Sequence, residues 1–197
     1  MVKYISLLII GFILGSIPFG IIIARAKGIN LKEVGSRNIG ATNVLRSLGK
    51  WPAALTLLGD ILKGTLAVAI GRHFGMSSVY EGLIGISAIL GHNFSMFLGF
   101  KGGKGVATSL GVLAIYTPQV AALSILIWLV VVIATKYSSL GAIVSFAILP
   151  LNMMLFDPND KGKTYIAILI TILILSRHND NILRLVKGTE RKIGQQK

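Results

Sequence analysis

The chain alternates long apolar runs with short basic, glycine-rich stretches. About 20 helical residues at ~1.5 Å each cross ~30 Å of hydrocarbon. Residues 4–24, 51–71, 79–100 and 138–156 are runs of that size. Inside a bilayer every backbone polar group must be satisfied internally, which restricts such runs to helices. The expected fold is therefore all-α, a polytopic integral membrane helical bundle forming one domain over residues 1–197. A composition that is 53% hydrophobic, with mean hydropathy +0.76, agrees. The run ending at Ala24 is too long for a signal peptide, and Arg25 and Lys27 follow it, so it reads as a first span. Gly11, Gly15 and Gly20 allow close helix approach there, and Pro18 kinks it.

Residues 105–135 make one kinked helix or two short spans turning near Pro118. Charge decides between them. With two spans the bundle has about seven transmembrane helices, N-terminus out and C-terminus cytoplasmic. The last is a short run at 165–175. Fifteen of the 20 Lys and Arg then share one side, with Lys3, Arg72, Lys161 and Lys163 opposite and Lys63 within a span. That asymmetry follows the positive-inside rule, whereas a single span breaks it. The functional face is therefore expected toward the cytoplasm.

Three polar segments converge on that face. Residues 91–108, GHNFSMFLGFKGGKGVAT, place Lys101, Gly102, Gly103, Lys104 and Gly105 in a row. Glycines let backbone N–H groups form an anion nest, and the helix expected after them, carrying Thr108, offers its N-terminus to a phosphate. The plainer alternative is a glycine-rich turn. Residues 35–46, GSRNIGATNVLR, supply Ser36, Asn38, Thr42, Asn43 and Arg46, all able to bind phosphate oxygens; the alternative is a solvated linker with Thr42 capping the next helix. Residues 176–192 place His178, Asn181 and Arg184 at i, i+3 and i+6 on one helical face. An amphipathic tail lying on anionic lipid is the alternative there. His92 precedes the glycine–lysine loop as either a packed histidine or a ligand. Asp60 and Lys63 share a helical face within a span, as a structural ion pair or as part of a substrate site.

Several chemistries are excluded. A Walker A loop is absent: the residue five before Gly103 is Leu98, and Gly105 follows Lys104. There is no cysteine, so no thioester intermediate or disulfide is expected. The three histidines lack zinc-type spacing, so no metal and no cofactor is expected. The fifth residues after His73, His92 and His178 are Ser78, Phe97 and Leu183, so no H-x-x-x-x-D pair is present. A net charge of +13 spread over loops between apolar runs fits topology and anionic ligands, not nucleic acid.

GSRNIGATNVLR, GHNFSMFLGFKGGKGVAT and SRHNDNILRLVKGTE resemble, in order and spacing, the three motif regions of the bacterial acyl-phosphate:glycerol-3-phosphate acyltransferases, the PlsY family. The family pattern usually has Gly where this chain has Arg37, and often Pro where it has Met96. The resemblance implies transfer of a fatty acyl group from long-chain acyl-phosphate to the 1-hydroxyl of glycerol 3-phosphate. The products are lysophosphatidic acid and phosphate, in phospholipid biosynthesis at a membrane lipid surface. It also implies a functional link to the enzyme that makes acyl-phosphate. His178 and Asn181 are then the catalytic candidates. A membrane transporter for an organic phosphate is the alternative. It needs access from both sides and usually shows repeat symmetry, which this sequence lacks.

Overall fold

The computed structural model describes residues 1–194, which contain eleven α-helices, one 3-10 turn and no strand. The helices are α1 (Val2–Ser16), α2 (Phe19–Arg25), α3 (Ala41–Leu48), α4 (Lys50–His73), α5 (Ser78–Asn93), α6 (Val106–Tyr116), α7 (Pro118–Thr135), α8 (Ser138–Ala147), α9 (Leu149–Phe156), α10 (Lys161–Ser176) and α11 (Asn179–Val186).

Local sequence explains most of the breaks. Pro18 has no N–H and splits the first apolar run, with Ile17 extended between α1 and α2. Pro118 sits at the first position of α7, after an extended Thr117, and splits 105–135 into α6 and α7. α5 ends at Asn93, earlier than the apolar run to Phe100 suggests. Its last carbonyls are taken by the chain that follows: Gly103 N donates to His92 O at 3.0 Å, and Gly102 N to Asn93 O at 3.1 Å. Orphan carbonyls at a helix end are satisfied this way. α10 begins at Lys161, four residues before the apolar run, because the Asp160 side chain caps it by accepting from Lys163 N at 3.1 Å.

Among the described residues, three helical stretches are long and apolar enough to cross a membrane: Val2–Arg25, Lys50–His73 and Pro118–Thr135. Two bent pairs, α8 with α9 at 46° and α10 with α11 at 59°, bring that number to five if each pair is one span. The other two elements of the expected seven, α5 with 16 residues and α6 with 11, are shorter than a usual crossing. One core joins α5, α6, α7, α9 and α10 through Ile89, Leu113, Val120, Met153 and Ile170. α1 lies against α5, where a Cβ on Gly15 would run into the Ala88 backbone. Gly20 brings α2 close to Ile39 O in the first loop and to the Thr56 methyl of α4.

The polar groups divide between the two ends of the bundle. At one end Lys3 Nζ donates to Phe74 O at 2.6 Å and Arg72 pairs with Glu81 at 2.9 Å. There Ser78 Oγ reaches Asp160 at 2.9 Å and the Tyr116 hydroxyl at 3.4 Å. The turn at residues 116–118 therefore lies beside the turns at 74–78 and 157–161. The three motif segments gather at the other end.

Candidate active site

A cavity of about 1380 Å³ opens among the three motif segments. The first loop lines it with Ser36, Asn38, Thr42, Asn43 and Arg46. The second contributes His92, Lys104 and Gly105, and the tail contributes His178, Asn181 and Arg184. Its inner walls are apolar: Leu57 and Ile61 of α4, Leu110 of α6, Ile125 and Trp128 of α7, and Phe146 of α8.

The first loop is shaped by one buried amide. Asn43 Oδ1 accepts from Ser36 N at 2.7 Å, while Nδ2 donates to Asn38 O at 2.8 Å and Val34 O at 3.2 Å. Asn43, expected as a ligand group, borders the cavity, and its amide N–H groups and one Oδ1 lone pair hold this loop in shape. Asn38 Oδ1 likewise accepts from Gly40 N at 3.0 Å, and Thr42 Oγ1 meets Ser138 Oγ at 3.3 Å. Arg37 holds φ at +59°, in the left-handed region that favours glycine. Arg46 projects from α3 with one terminal nitrogen on Arg191 O at 3.0 Å. Its Nε is buried without a partner among the described residues. Burial lowers its pKa from the ordinary arginine value.

The glycine–lysine loop differs from the expected nest. The N–H groups of Gly102 and Gly103 are already bonded to the end of α5 and cannot turn to a ligand. Both glycines serve close approach instead. A Cβ on Gly102 would collide with His92 O, and one on Gly103 with His92 Nε2. Lys101 is exposed and does not line the cavity. Thr108 is fully buried within α6 and does not line it either. Lys104 does, two residues before α6, and donates to Asn181 Oδ1. Burial pushes its ammonium down to about 8, with Glu190 pulling the other way.

The tail folds back as α11, beyond the apolar α10. His178 precedes α11, and its Nδ1 lies 2.8 Å from Ile174 O. A carbonyl only accepts, so Nδ1 carries the proton and Nε2 keeps its lone pair. Burial, then the Lys104 charge, push His178 down to about 4. Asn181 is buried, 4% exposed, with Nδ2 donating to Glu190 at 2.7 Å.

Glu190 is absent from the sequence-derived candidates. Its Oε1 accepts from Ser139 Oγ and Asn181 Nδ2, both at 2.7 Å, and its Oε2 from Arg184 Nε at 2.7 Å. Burial alone would raise its pKa. The three hydrogen bonds hold it below the usual carboxylate range. A lone acid among Arg184, Lys187, Arg191 and Lys192 is the signal that points to it. Asp60 and Lys63 form the expected pair at 2.8 Å, and Lys63 also meets His92 Nδ1 at 2.8 Å.

The arrangement suits a ligand with a negative head and an apolar tail. Comparison with known proteins agrees. The family model described as Glycerol-3-phosphate acyltransferase matches residues 5–188. A glycerol-3-phosphate acyltransferase of Mesorhizobium japonicum is 46% identical over 189 residues, 95% of this chain and 94% of that protein. Glycerol-3-phosphate acyltransferase 1 of Deinococcus radiodurans is 42% identical over 188 residues, 95% of this chain and 94% of that protein. The crystal structure of PlsY (YgiH), an integral membrane glycerol 3-phosphate acyltransferase in its glycerol 3-phosphate form, superposes with TM-score 0.92 at 41% identity. That match covers 98% of this chain and 96% of the other. The lysphosphatidic acid form of PlsY (YgiH) gives 0.90 at 40% identity over the same shares. With a family model spanning nearly its whole length and relatives above 40% identity, this chain belongs to the glycerol-3-phosphate acyltransferase family.

Proposed function

We propose that this protein transfers a fatty acyl group from acyl-phosphate to the 1-hydroxyl of glycerol 3-phosphate, forming lysophosphatidic acid and inorganic phosphate. One observation carries the reading. A single cavity gathers Arg46, Lys104 and Arg184 at its polar mouth and continues between the apolar walls of α4, α6, α7 and α8. Both substrates bear a phosphate and one bears an alkyl chain, so their shared needs match that cavity. PlsY (YgiH) has been crystallised in glycerol 3-phosphate and lysphosphatidic acid forms, which supports the acceptor and the product.

The chemistry balances without an acyl-enzyme. The glycerol oxygen attacks the acyl carbon, a C–O bond forms, and the bond to the phosphate oxygen breaks. Phosphate leaves with the electron pair and takes the hydroxyl proton. Lys104 and Arg46 stabilise charge as it builds on the leaving phosphate. His178 Nε2 and Asn181 position the attacking hydroxyl. Positioning an already activated donor supplies much of the rate.

The membrane arrangement is part of the proposal. We place one domain over residues 1–197 across the bacterial inner membrane as seven spans, with N-terminus out and the cavity mouth toward the cytoplasm. The basic asymmetry and the shared end of Lys3, Arg72, Lys161 and Lys163 support it. Purified protein given long-chain acyl-phosphate and glycerol 3-phosphate tests the function. Phosphate release matched one-to-one by lysophosphatidic acid is expected. Transport of glycerol 3-phosphate into vesicles without its consumption overturns the reading.

A further inference from the structure

A buried cluster borders the cavity and takes no part in the proposed chemistry. Lys63 on α4 spends three ammonium hydrogens inside the protein. They go to Asp60 Oδ1 at 2.8 Å, His92 Nδ1 at 2.8 Å and Ile17 O at 3.0 Å. Asp60, Lys63 and His92 are each 4% exposed or less. An ammonium has no lone pair, so His92 Nδ1 accepts and Nε2 carries the ring proton. That Nε2 edge abuts Gly103, where no side chain fits. The His92 carbonyl holds Gly103 N at 3.0 Å, and the Asn93 carbonyl holds Gly102 N at 3.1 Å.

α4 grips the other end of the same connection. A Cβ on Gly64 would strike Thr108 O, and one on Gly111 would strike Ile61 O. Thr65 Oγ1 donates to Gly111 O at 3.0 Å. One helix thus fixes both ends of the segment that carries Lys104. A buried ion pair gains little net stability, because desolvation offsets its attraction. Three bonds from one ammonium instead fix direction, which apolar side chains at these positions would not do.

We propose that Lys63 is a positioning residue. Its tripod sets His92, His92 sets Gly103, and Gly103 sets the ammonium of Lys104 against the substrate phosphate. This inference rests on the acyltransferase reading for the substrates used to test it.

Lys63→Ala alone would strand Asp60, so the test uses the charge-neutral pair Asp60→Asn with Lys63→Met. We expect a folded protein whose melting temperature stays near wild type and whose kcat falls about 10²-fold, the usual cost of a misplaced group. Adding the pair to Lys104→Ala should cost less than about twofold more, because both changes act through one ammonium. Hydrogen exchange gives a readout independent of any ligand: the Gly102 and Gly103 amides should exchange at least tenfold faster, with α7 unchanged. Wild-type kcat/KM in the pair variant overturns the proposal. So do losses that multiply with Lys104→Ala, failure of the pair variant to fold, or unchanged exchange at Gly102 and Gly103. A wild-type protein that does not turn over acyl-phosphate sinks the acyltransferase reading instead and leaves the exchange result to judge Lys63.

Discussion

Asn181 Nδ2 donates to Glu190 Oε1 at 2.7 Å, which leaves Asn181 Oδ1 facing the Lys104 ammonium. The carboxylate thereby decides which way the amide points. It also collects Ser139 of α8 and Arg184 of α11 at 2.7 Å each, and so ties the tail to the bundle. Glu190→Gln keeps the shape but leaves one acceptor oxygen for three donors. Charge-assisted hydrogen bonds are the stronger kind, so the loss should register in both fold and rate. We expect a lower melting temperature and a kcat reduced about tenfold or more, as expected for a mispositioned group. Unchanged kcat together with an unchanged melting temperature refutes this role.

The alkaline limb of activity should belong to Lys104. Its folded pKa is depressed to about 8, so the free enzyme loses the cation as pH rises through that value. Binding of a phosphate dianion needs the cation. kcat/KM for glycerol 3-phosphate should therefore fall about tenfold per pH unit above ~8, since kcat/KM reports ionisations of the free enzyme. Lys104→Arg keeps its charge to far higher pH and should flatten that limb, whatever it costs in absolute rate. A wild-type profile flat from pH 7 to 10 rules this out.

Membrane sidedness is directly measurable because the chain has no cysteine. Single cysteines at Arg37 and Lys192 should react with an impermeant thiol reagent from the same side, and a cysteine at Lys161 from the other. Labelling of Arg37 and Lys192 positions from opposite sides contradicts the seven-span arrangement.

Much of this fold is legible in the sequence, and for identifiable reasons. Pro118 marks the α6–α7 break because a missing N–H is a local fact, independent of context. The convergence of three basic segments follows from charge sidedness, which is also countable. What sequence does not reveal is which polar groups are already spent. Asn43 and Asn181 are the same residue type in similar glycine-bearing, basic stretches. Yet Asn43 serves its own loop, while Asn181 lies between Lys104 and Glu190. The N–H groups of Gly102 and Gly103 read as an anion nest until the end of α5 is seen to claim them. The Lys63–His92 contact joins residues 29 apart on different helices, beyond the reach of any local pattern.

Arg37 offers a stability test of the loop geometry. Its φ of +59° costs an L-residue about 1–2 kcal/mol that glycine does not incur. Glycine also loses more backbone entropy on folding, which offsets roughly 0.5–1 kcal/mol of the gain. Arg37→Gly should therefore leave stability unchanged or raise it by about 1 kcal/mol. Arg37→Val, β-branched in a left-handed position, should lower it. Thermal melts of the purified variants check the order Gly ≥ Arg > Val, and a Val variant as stable as wild type would show that the loop has another path.

The last expectation concerns the proton of the attacking hydroxyl. His178 holds its Nδ1 proton against Ile174 O at 2.8 Å and presents a lone pair on Nε2. That geometry suits either a general base or a hydrogen-bond acceptor. Basicity separates the two. Burial and the Lys104 charge depress His178 to about 4, well below the ~6.5 of an unperturbed imidazole. A base that weak is poorly matched to proton abstraction near neutral pH, where the best general base has a pKa near the working pH. The departing phosphate, gaining charge as the bond to carbon breaks, is the better acceptor. His178 stays neutral from about pH 5 upward, so it should contribute no ionisation between pH 5 and 9. His178→Gln keeps a polar group able to hold the hydroxyl and should retain about a tenth of wild-type kcat. The measurement is kcat at saturating substrates from pH 5 to 9 for both proteins. A drop of roughly 10²–10⁴-fold, the usual worth of general-base catalysis, together with loss of an ionisation from the profile, would make His178 the base and refute transfer to the phosphate. A tenfold drop with parallel profiles leaves the proton with the leaving group and His178 as the residue that aims the hydroxyl.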